Sequence, residues 1–235
     1  MTRLWQRYQK GNPVYLARNY WWAYLSPLGV WFFSHRIIVN LILYGQYRNI
    51  LNVLRNKLQT EACGRMLQIS CAYGDITPTL ADYASELHQN DVALIQLKVS
   101  RNNLAAHHRS AHLTRMNAEN LGYASHSFQT VVIFFLLHEL PADARNRVLS
   151  ESLRVLQPGG RLFIADYAPN MGSHLLHRKW WTRLVEYMEP FLHNFWHSDL
   201  TTEIATIAHA MQRNVALTAS SDLFKRFYRV EEYRG

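Results

Sequence analysis

Residues 66–84 read MLQISCAYGDITPTLADYA, and this stretch decides the fold. A short apolar run leads into a turn, and a segment beginning Thr-Pro leads out of it as a predicted helix. The order of strand, turn and helix is typical of the phosphate- or cofactor-binding loop of a doubly wound α/β protein. Such a loop should read Gly-x-Gly-x-Gly, because glycine lets the backbone approach a ligand closely. Here Ser70, Ala72 and Tyr73 stand in the loop.

The alternation of short apolar runs and helical segments continues along the chain. Thr77 is predicted to cap the first helix, with Pro78 at its first position. Residues 128–137 are nearly all apolar, which is typical of a strand buried on both faces. Strands are predicted at 65–70, 86–90, 111–116, 128–137 and 161–167, and helices at 77–84, 91–108 and 142–156. This order predicts an α/β fold with a parallel sheet and helices on both faces.

Length and charge limit the possible classes. With 235 residues the chain has room for one sizeable core, and we expect a helical segment at 1–60 and one domain at 61–235. The formal charge of +8 predicts an anionic partner, such as an acidic cofactor, an anionic bilayer or a nucleic acid. The basic residues are dispersed rather than gathered in a stripe, so no nucleic acid partner is expected. Two cysteines and no secretory signal indicate a reducing compartment.

The N-terminal segment is rich in aromatic side chains. Tryptophan and tyrosine beside basic residues are typical of a segment at a membrane surface. The longest apolar run, residues 30–45, is interrupted by polar residues and is too short to span a bilayer. A membrane-facing segment and a helical layer packed on the core are equally compatible with the pattern. The aromatic residues are Trp5, Tyr15, Tyr20, Trp21, Trp22, Tyr24, Trp31, Phe32 and Phe33.

The expected ligand site lies at the carboxyl ends of the strands, as in other open parallel sheets. That rule selects residues 70–75, 91, 117–118, 138–139 and 166–167. Asp91 follows Gly74 at the spacing of a carboxylate that grips a ribose, although a lone Asp after a strand is more often a helix N-cap.

Two further candidates have simpler explanations. His193 and His197 are four residues apart and could hold a metal, but chance pairs at this spacing are expected among twelve histidines. We therefore favour no metal there. Cys71 is assigned to packing rather than to nucleophilic catalysis, because no nearby base is implied.

Residues 127–167, SFQTVVIFFLLHELPADARNRVLSESLRVLQPGGRLFIADY, resemble the fourth and fifth strand region of class I S-adenosylmethionine-dependent methyltransferases. Asn117-Ala118-Glu119 resembles the adenine-side loop of that superfamily. The resemblance implies a Rossmann-like fold with a mostly parallel seven-stranded sheet. The pattern of residues 203–235 predicts one helix followed by two strands, and the resemblance implies that these strands close the sheet, the last of them antiparallel.

A narrower resemblance covers nearly the whole chain. The segments NYWWAYLSPLGVWFF, VNLILYGQY, ISCAYGD, DVALIQL, FFLLHEL and EPFLHNFW are similar to the rhodoquinone-biosynthesis methyltransferase-like family, in which Cys-x-Tyr-Gly-Asp replaces the glycine-rich loop. The resemblance implies that ubiquinone is converted to rhodoquinone by replacing a methoxy group with an amino group. S-adenosylmethionine would be the amino donor and co-substrate, assisted by Mn²⁺. Tyr73 and Ala72 would then turn the methionine moiety so that its nitrogen faces the ring.

The resemblance also implies a set of site residues. The catalytic candidates are Tyr73, Asp75, His138 and Asp166, and Glu139 is a further candidate base or ligand, while the metal ligands stay unassigned. The implied cofactor-binding residues are Ser70, Cys71, Ala72, Tyr73, Gly74, Asp91, Val92, Asn117, Ala118 and Phe135.

Ubiquinone has a tail that stays in the bilayer, so the implied partners are ubiquinone and the membrane surface. The expected location is peripheral, on the cytoplasmic face of the bacterial inner membrane, or on the matrix side of the mitochondrial inner membrane in a eukaryote. Residues 171–196 would add a second basic aromatic helix to the membrane-facing side. Two alternatives stay open: a conventional methyltransferase acting on a quinone precursor, and a non-catalytic, membrane-associated protein that binds S-adenosylmethionine.

Overall fold

A seven-stranded sheet forms the centre of the computed structural model, which describes residues 4–169 and 188–235. The strands are β1 (Arg65–Ile69), β2 (Glu86–Asp91), β3 (His112–Arg115), β4 (Phe128–Phe134), β5 (Leu156–Tyr167), β6 (Ala216–Leu223) and β7 (Tyr228–Arg234). Their order is β3-β2-β1-β4-β5-β7-β6, and β7 runs antiparallel to both of its neighbours. The predicted mostly parallel seven-stranded sheet and the antiparallel last strand are confirmed. The order reverses between β1 and β4, which places a ligand crevice at their carboxyl ends.

Helices cover the sheet and extend it at the N-terminus. Before the sheet lie α1 (Val14–Asn19), α2 (Pro27–Phe33), α3 (Arg36–Ile42) and α4 (Tyr47–Leu58), with a π-helical turn at Trp21–Leu25. Within and after the sheet lie α5 (Ile76–Ala81), α6 (Leu94–Ala106), α7 (Ala142–Val155), α8 (Leu192–Trp196) and α9 (Leu200–Ala210), with a 3₁₀ turn at Leu137–Glu139. The predicted helix at 171–196 lies mostly outside the described residues.

The centre of the core is β4, as its continuous apolar run predicts. Val131, Val132 and Ile133 are completely buried, since parallel neighbours flank the strand and helices cover both faces. Helix α4 packs Ile50, Leu54 and their apolar neighbours against the same core. Helix α4 therefore belongs to the main hydrophobic core, whereas Ala17 and Leu25 form a second, smaller cluster with Ala93.

Helix α5 begins at Ile76, two residues before Pro78, so the assignments of Thr77 as its N-cap and of Pro78 to its first position are wrong. Asp75 occupies the cap position, and Thr77 lies buried in the first turn. The Thr77 hydroxyl accepts a 3.0 Å hydrogen bond from Gln89 Nε2. Ser100 Oγ donates to the Gln89 Oε1. This buried polar contact explains how β2 tolerates a polar side chain inside the sheet.

Strand β5 also begins earlier than predicted. The segment Gln157–Gly160 was expected to end α7 and separate it from a strand at residue 161. Instead α7 ends at Val155, and β5 starts at Leu156 with an irregular register against β4. Gly159 adopts a φ of +73°, a conformation that favours glycine, so the chain bends inside the strand rather than before it.

Helices α2 and α3 present an apolar outer face. Ser26 caps helix α2, since its side chain accepts a 3.0 Å hydrogen bond from Gly29 N, and Pro27 is the first helical residue. The outer apolar side chains are 44% to 76% exposed, and we call them the apolar surface: Leu28, Trp31, Phe32, Ile37, Leu41 and Ile42. In residues 4–169 and 188–235 no helix is both long and apolar enough to cross a membrane.

Candidate active site

A cavity of about 230 Å³ lies at the carboxyl ends of β1, β2 and β4. Its floor is residues 70–73 of the first-strand loop together with the ends of β2 and β4, and its roof comes from the N-terminal segment. Tyr20, Tyr24 and Phe33 line the roof, so the cavity wall is mostly aromatic on that side. The cavity lies where the strand order reverses, as expected for a ligand site of this fold.

The first-strand loop has two residues in the backbone region that favours glycine, although only one of them is a glycine. Ser70 has a φ of +68°, in the left-handed region where a side chain costs about 1 kcal/mol. Gly74 has a φ of +90°, and a Cβ there would lie 2.6 Å from the Tyr47 hydroxyl. Gly74 is therefore required by both the backbone and its neighbour.

Asp91 anchors this loop. Its Oδ2 accepts hydrogen bonds from Ser70 Oγ at 3.1 Å and from Cys71 N at 2.8 Å, and its Oδ1 accepts from Ala93 N at 2.7 Å. Burial raises the pKa of Asp91, and the backbone donors at Ala93 and Cys71 oppose that shift. The residue expected to grip a ribose thus holds the two strand-end turns together, and only its Oδ1, which accepts one hydrogen bond, keeps a second lone pair.

Two asparagines lie at the β2 and β3 side of the cavity. Asn90 is buried and lines the cavity, and its Oδ1 has no hydrogen-bond partner among the described residues. Asn117 Oδ1 accepts a 3.0 Å hydrogen bond from Glu119 N, which shapes the predicted adenine-side loop. Of these two side-chain oxygens, the one at Asn90 is the buried acceptor that a ligand would satisfy.

Tyr73 joins the loop to the N-terminal segment. Its hydroxyl donates a 2.8 Å hydrogen bond to Ala23 O and accepts a 2.7 Å bond from Gln96 Nε2. Its ring stacks on Tyr24 with the ring centroids 5.7 Å apart. Burial raises the pKa of Tyr73 beyond its ordinary value. Tyr73 is therefore a neutral residue that positions the cavity roof.

His138 and Asp166 form a buried pair at the inner end of the cavity. His138 Nδ1 lies 2.7 Å from Asp166 Oδ1, and Asp166 Oδ2 accepts a 3.0 Å hydrogen bond from Leu137 N. Burial alone would lower the pKa of His138, but the carboxylates of Asp166, Glu189 and Glu139 together outweigh it and raise that pKa to about 9. The contact fixes the imidazole so that Nε2 points away from Asp166.

Two glutamates lie beside this pair. Tyr24 donates its hydroxyl hydrogen to Glu139 Oε1, and Tyr20 donates to Glu189 Oε2 at 2.9 Å. Burial and the Glu189 charge raise the pKa of Glu139 to about 8, and burial raises the pKa of Glu189. One ligand atom from each of His138, Glu139 and Glu189 lies within 4.8 Å of the other two. The donor chemistry of two carboxylates and one imidazole fits a divalent ion.

The structure brings most of the predicted site residues together. Asp166 lies behind His138 rather than on the cavity wall. Gly74 and Asp75 line a smaller depression on the other side of the loop, where Asp75 pairs with Arg36 at 2.8 Å. The residues on the cavity wall are Ser70, Cys71, Ala72, Tyr73, Asp91, Val92, Asn117, Ala118, Phe135, His138 and Glu139.

Sequence reasoning missed Glu189 and the tyrosines that orient the carboxylates. Glu189 begins the segment EPFLHNFW, which was noted only for its resemblance to a family, and Tyr20 was noted only as an aromatic residue. His193 and His197 stack with ring centroids 4.5 Å apart, and His197 Nδ1 bonds the His193 carbonyl oxygen. Among the described residues this pair belongs to neither group of three potential metal ligands.

Comparisons with known proteins agree with this geometry. Residues 67–164 match the family model described as "Methyltransferase domain". Demethylmenaquinone methyltransferase of Paenarthrobacter aurescens is 25% identical over 155 residues, which are 66% of this chain and 57% of that protein. The ubiquinone/menaquinone biosynthesis C-methyltransferase UbiE of Hahella chejuensis is 30% identical over 140 residues, 57% of this chain and 55% of that protein. The chain spans about half the length of the curated relatives it matches.

Solved structures show the same fold at low sequence identity. PH0226 of Pyrococcus horikoshii has a TM-score of 0.61 at 17% identity, covering 81% of this chain and 90% of that one. The N-methyltransferase NodS of Bradyrhizobium japonicum, solved in complex with S-adenosyl-L-homocysteine, has a TM-score of 0.56 at 16% identity, covering 80% and 86%. The chain therefore has the Rossmann-like fold of the methyltransferases, and its residues 67–164 match a methyltransferase domain.

Proposed function

We propose that the protein is an S-adenosylmethionine-dependent transferase that modifies the ring of a membrane quinone. The observation that carries the proposal is the cavity, which joins the first-strand loop to an aromatic chamber and reaches the apolar surface. Ile42 connects the cavity to the apolar surface, since its side chain lines the cavity and is also 47% exposed. A substrate with a polar ring and a long apolar tail could place its ring in the cavity and its tail along the apolar surface.

The residues present fit S-adenosylmethionine as co-substrate. Asn90 Oδ1 lies at the cavity wall as a buried acceptor without a donor among the described residues, which a ligand there would satisfy. The match of residues 67–164 to a methyltransferase domain supports the same ligand. The amino-acid end of the co-substrate would lie toward Tyr73 and the inner end of the cavity.

The apolar surface supports a location at a bilayer. Six large apolar side chains exposed on two adjacent helices are more than scattered surface residues, and such patches mark interaction sites. The net charge of +8 complements anionic lipid headgroups. We propose that α2 and α3 rest on the membrane, so that the quinone ring enters the cavity while its tail stays in lipid. The cytoplasmic or matrix face of an inner membrane is the proposed side.

The finer proposal is amination of ubiquinone, which is supported by the altered loop and the family resemblance. The neutral amine of S-adenosylmethionine forms a bond to the ring carbon that bears methoxy, and methoxide leaves as methanol with the amine proton. The remaining N–H and Cα–H hydrogens and two electrons pass to the quinone, giving a quinol and an imine. Water then hydrolyses the imine. The products are an aminoquinol, methanol and a 2-oxo acid, so the quinone is the oxidant and water the co-reactant.

The second candidate is methyl transfer to a carbon of a quinone precursor. The names of the relatives favour it, since two of them are quinone-biosynthesis methyltransferases. In this case the same cavity holds the co-substrate with its methyl group, rather than its nitrogen, toward the ring.

Doubly labelled S-adenosylmethionine separates the candidates. The protein is incubated with co-substrate carrying nitrogen-15 on the amine and carbon-13 on the methyl group, with short-tailed ubiquinone or its demethylated precursor in quinol form. Nitrogen-15 in the quinone, with a trapped 2-oxo acid, supports amination. Carbon-13 in the precursor supports methyl transfer and overturns amination. Neither label in any product, with co-substrate binding intact, overturns both reactions and leaves a binding protein.

A further inference from the structure

The inner end of the cavity concentrates negative charge. Asp166 is completely buried, and Glu139 and Glu189 line the cavity beside it. No arginine or lysine within residues 4–169 and 188–235 forms an ion pair with Glu139 or Glu189, and their tyrosine partners are neutral. The imidazole of His138 is the one basic group that faces all three carboxylates in that part of the chain. Buried carboxylates at this density must be either protonated or paired with a cation, and a bound cation would replace the protons.

His138 is oriented toward the two glutamates. Asp166 holds its Nδ1, and the opposite ring nitrogen, Nε2, lies 3.9 Å from Glu139 Oε1. That separation is too long for a hydrogen bond, and within the described residues nothing else bonds Nε2. The His138 side chain is only 5% exposed, so this nitrogen faces the cluster from a nearly buried ring. A carboxylate behind a histidine is the usual arrangement behind a metal-binding imidazole.

The glutamates are oriented in a similar way. Tyr24 holds one oxygen of Glu139, and Tyr20 holds one oxygen of Glu189. Each carboxylate therefore keeps its other oxygen without a hydrogen bond from the described residues. Both tyrosines come from the N-terminal segment, so the cavity roof shapes the cluster below it.

We propose that His138, Glu139 and Glu189 bind one divalent cation of the Mn²⁺ class, with Asp166, Tyr20 and Tyr24 orienting the ligands. Ligand bonds of about 2.1 Å bring donor atoms to about 3 to 4 Å apart, close to the separations in this cluster. Two carboxylates favour a hard or borderline ion, and the imidazole favours manganese over magnesium. The remaining coordination positions face the cavity.

The site stands on its own geometry, whereas its role rests on the proposed function. An ion bound there would polarise a quinone carbonyl oxygen that gains negative charge as the ring is attacked. The residues of this chain would then fix the ring against the aromatic roof and keep the reacting carbon toward the first-strand loop.

A second group of potential ligands provides a matched control. Glu86, His88 and His112 lie on β2 and β3 with ligand atoms within 4.8 Å of one another, outside the cavity. A cation already occupies that group, because the Arg65 guanidinium lies 3.1 Å from His88 Nε2 and 3.3 Å from Glu86 Oε2. We therefore expect Glu86 not to bind a divalent ion.

Electron paramagnetic resonance titration of metal-free full-length protein with Mn²⁺ tests the assignment, since the sharp signal of free Mn²⁺ is lost on binding. One site is expected. Glu139→Gln and Glu189→Gln should each weaken binding more than about 100-fold, and Tyr20→Phe, which leaves every ligand in place, about tenfold. Glu86→Gln should bind as the parent does. Circular dichroism melting identifies any variant that fails to fold, and Tyr20→Phe then carries the test.

Three results would overturn the site: no saturable binding at millimolar Mn²⁺, unchanged binding in a folded Glu139→Gln/Glu189→Gln double variant, or loss of binding in Glu86→Gln. These outcomes are independent of catalysis. If the site binds Mn²⁺ as described and the metal-free protein modifies quinone at the full rate, the metal role is overturned while the proposed function stands. If the site binds and no product forms from any quinone, the proposed function fails while the site stands.

Discussion

The Tyr73 hydroxyl donates a 2.8 Å hydrogen bond to the carbonyl oxygen of Ala23, a residue 50 positions earlier in the chain. This bond links the first-strand loop to the N-terminal roof, and Gln96 Nε2 joins the same hydroxyl to α6. A tyrosine in a loop that should be glycine-rich thus serves to fasten a cover over the cavity. Its hydroxyl already has a donor and an acceptor partner, which makes Tyr73 a positioning residue.

Removing that hydroxyl should loosen the roof. In Tyr73→Phe the buried Ala23 carbonyl loses its partner, and we expect a loss of about 1 to 2 kcal/mol in the free energy of unfolding, measured by urea denaturation. Tyr83→Phe is the control, because the Tyr83 hydroxyl accepts one exposed hydrogen bond from Gln59. A change within about 0.5 kcal/mol is expected for the control. Equal losses in the two variants would contradict the role given to Tyr73.

Asp91 should determine co-substrate affinity through the loop. Asp91→Asn replaces one acceptor oxygen with a donor that faces the Ser70 hydroxyl, the Cys71 amide or the Ala93 amide. We expect S-adenosylmethionine affinity, measured by calorimetry, to fall about 10- to 100-fold, corresponding to one unsatisfied buried group. Asp222→Asn removes an exposed charge that pairs with Arg226 and should leave affinity unchanged. Wild-type affinity in Asp91→Asn would refute this role.

The Cys71 thiol should react slowly with alkylating reagents. Burial raises its pKa, and the Asp91 carboxylate adds to the shift, so the reactive thiolate is scarcer at pH 8 than in an unstructured peptide. Alkylation by iodoacetamide at pH 8, followed by peptide mass spectrometry, should label Cys71 at least about tenfold more slowly than in urea. Raising the pH should speed the reaction. Rapid labelling of native Cys71 at pH 8 would show an exposed or activated thiol instead.

The apolar surface should mediate membrane binding. Trp31→Ser combined with Ile37→Ser removes two side chains that are 61% and 74% exposed, so folding stability should change little. Sedimentation with vesicles of anionic and zwitterionic lipid should show at least about tenfold weaker binding, since each buried apolar side chain contributes about 1.5 to 3 kcal/mol. Leu217→Ser, on β6, is the control and should bind normally. Unchanged sedimentation of the double variant would place the membrane contact elsewhere or nowhere.

The order of strands and helices could be predicted because its signals are local. The apolar run of β4 and the amphipathic pattern of α7 each lie within a few residues of sequence. The cap of α5 could not be predicted in the same way. Local sequence favours Thr77 as the cap, but the Thr77 hydroxyl accepts a hydrogen bond from Gln89 on the neighbouring strand instead. A contact between elements overrides a local preference whenever a buried polar group needs a partner.

Only the site residues that lie at the carboxyl ends of strands could be predicted from the sequence. His138 and Asp91 could be placed from the sheet rule. His138 lies in the short turn after β4, and Asp91 is the last residue of β2. Asp75 satisfies the same rule but points to the other side of the loop, where Arg36 binds it. Glu189 belongs to no strand end, and its closeness to Glu139 depends on how the segment after β5 returns to the cavity, which residue spacing does not encode.

The left-handed Ser70 has a consequence for how the empty loop behaves. Glycine at that position would give the unliganded loop many alternative shapes, whereas serine allows few, and its hydroxyl bond to Asp91 selects one of them. A ligand therefore meets a loop whose conformation is already chosen, and it loses little conformational entropy on binding. The missing glycines make the loop stiffer, and stiffness of this kind favours a co-substrate held in a single, unvarying pose.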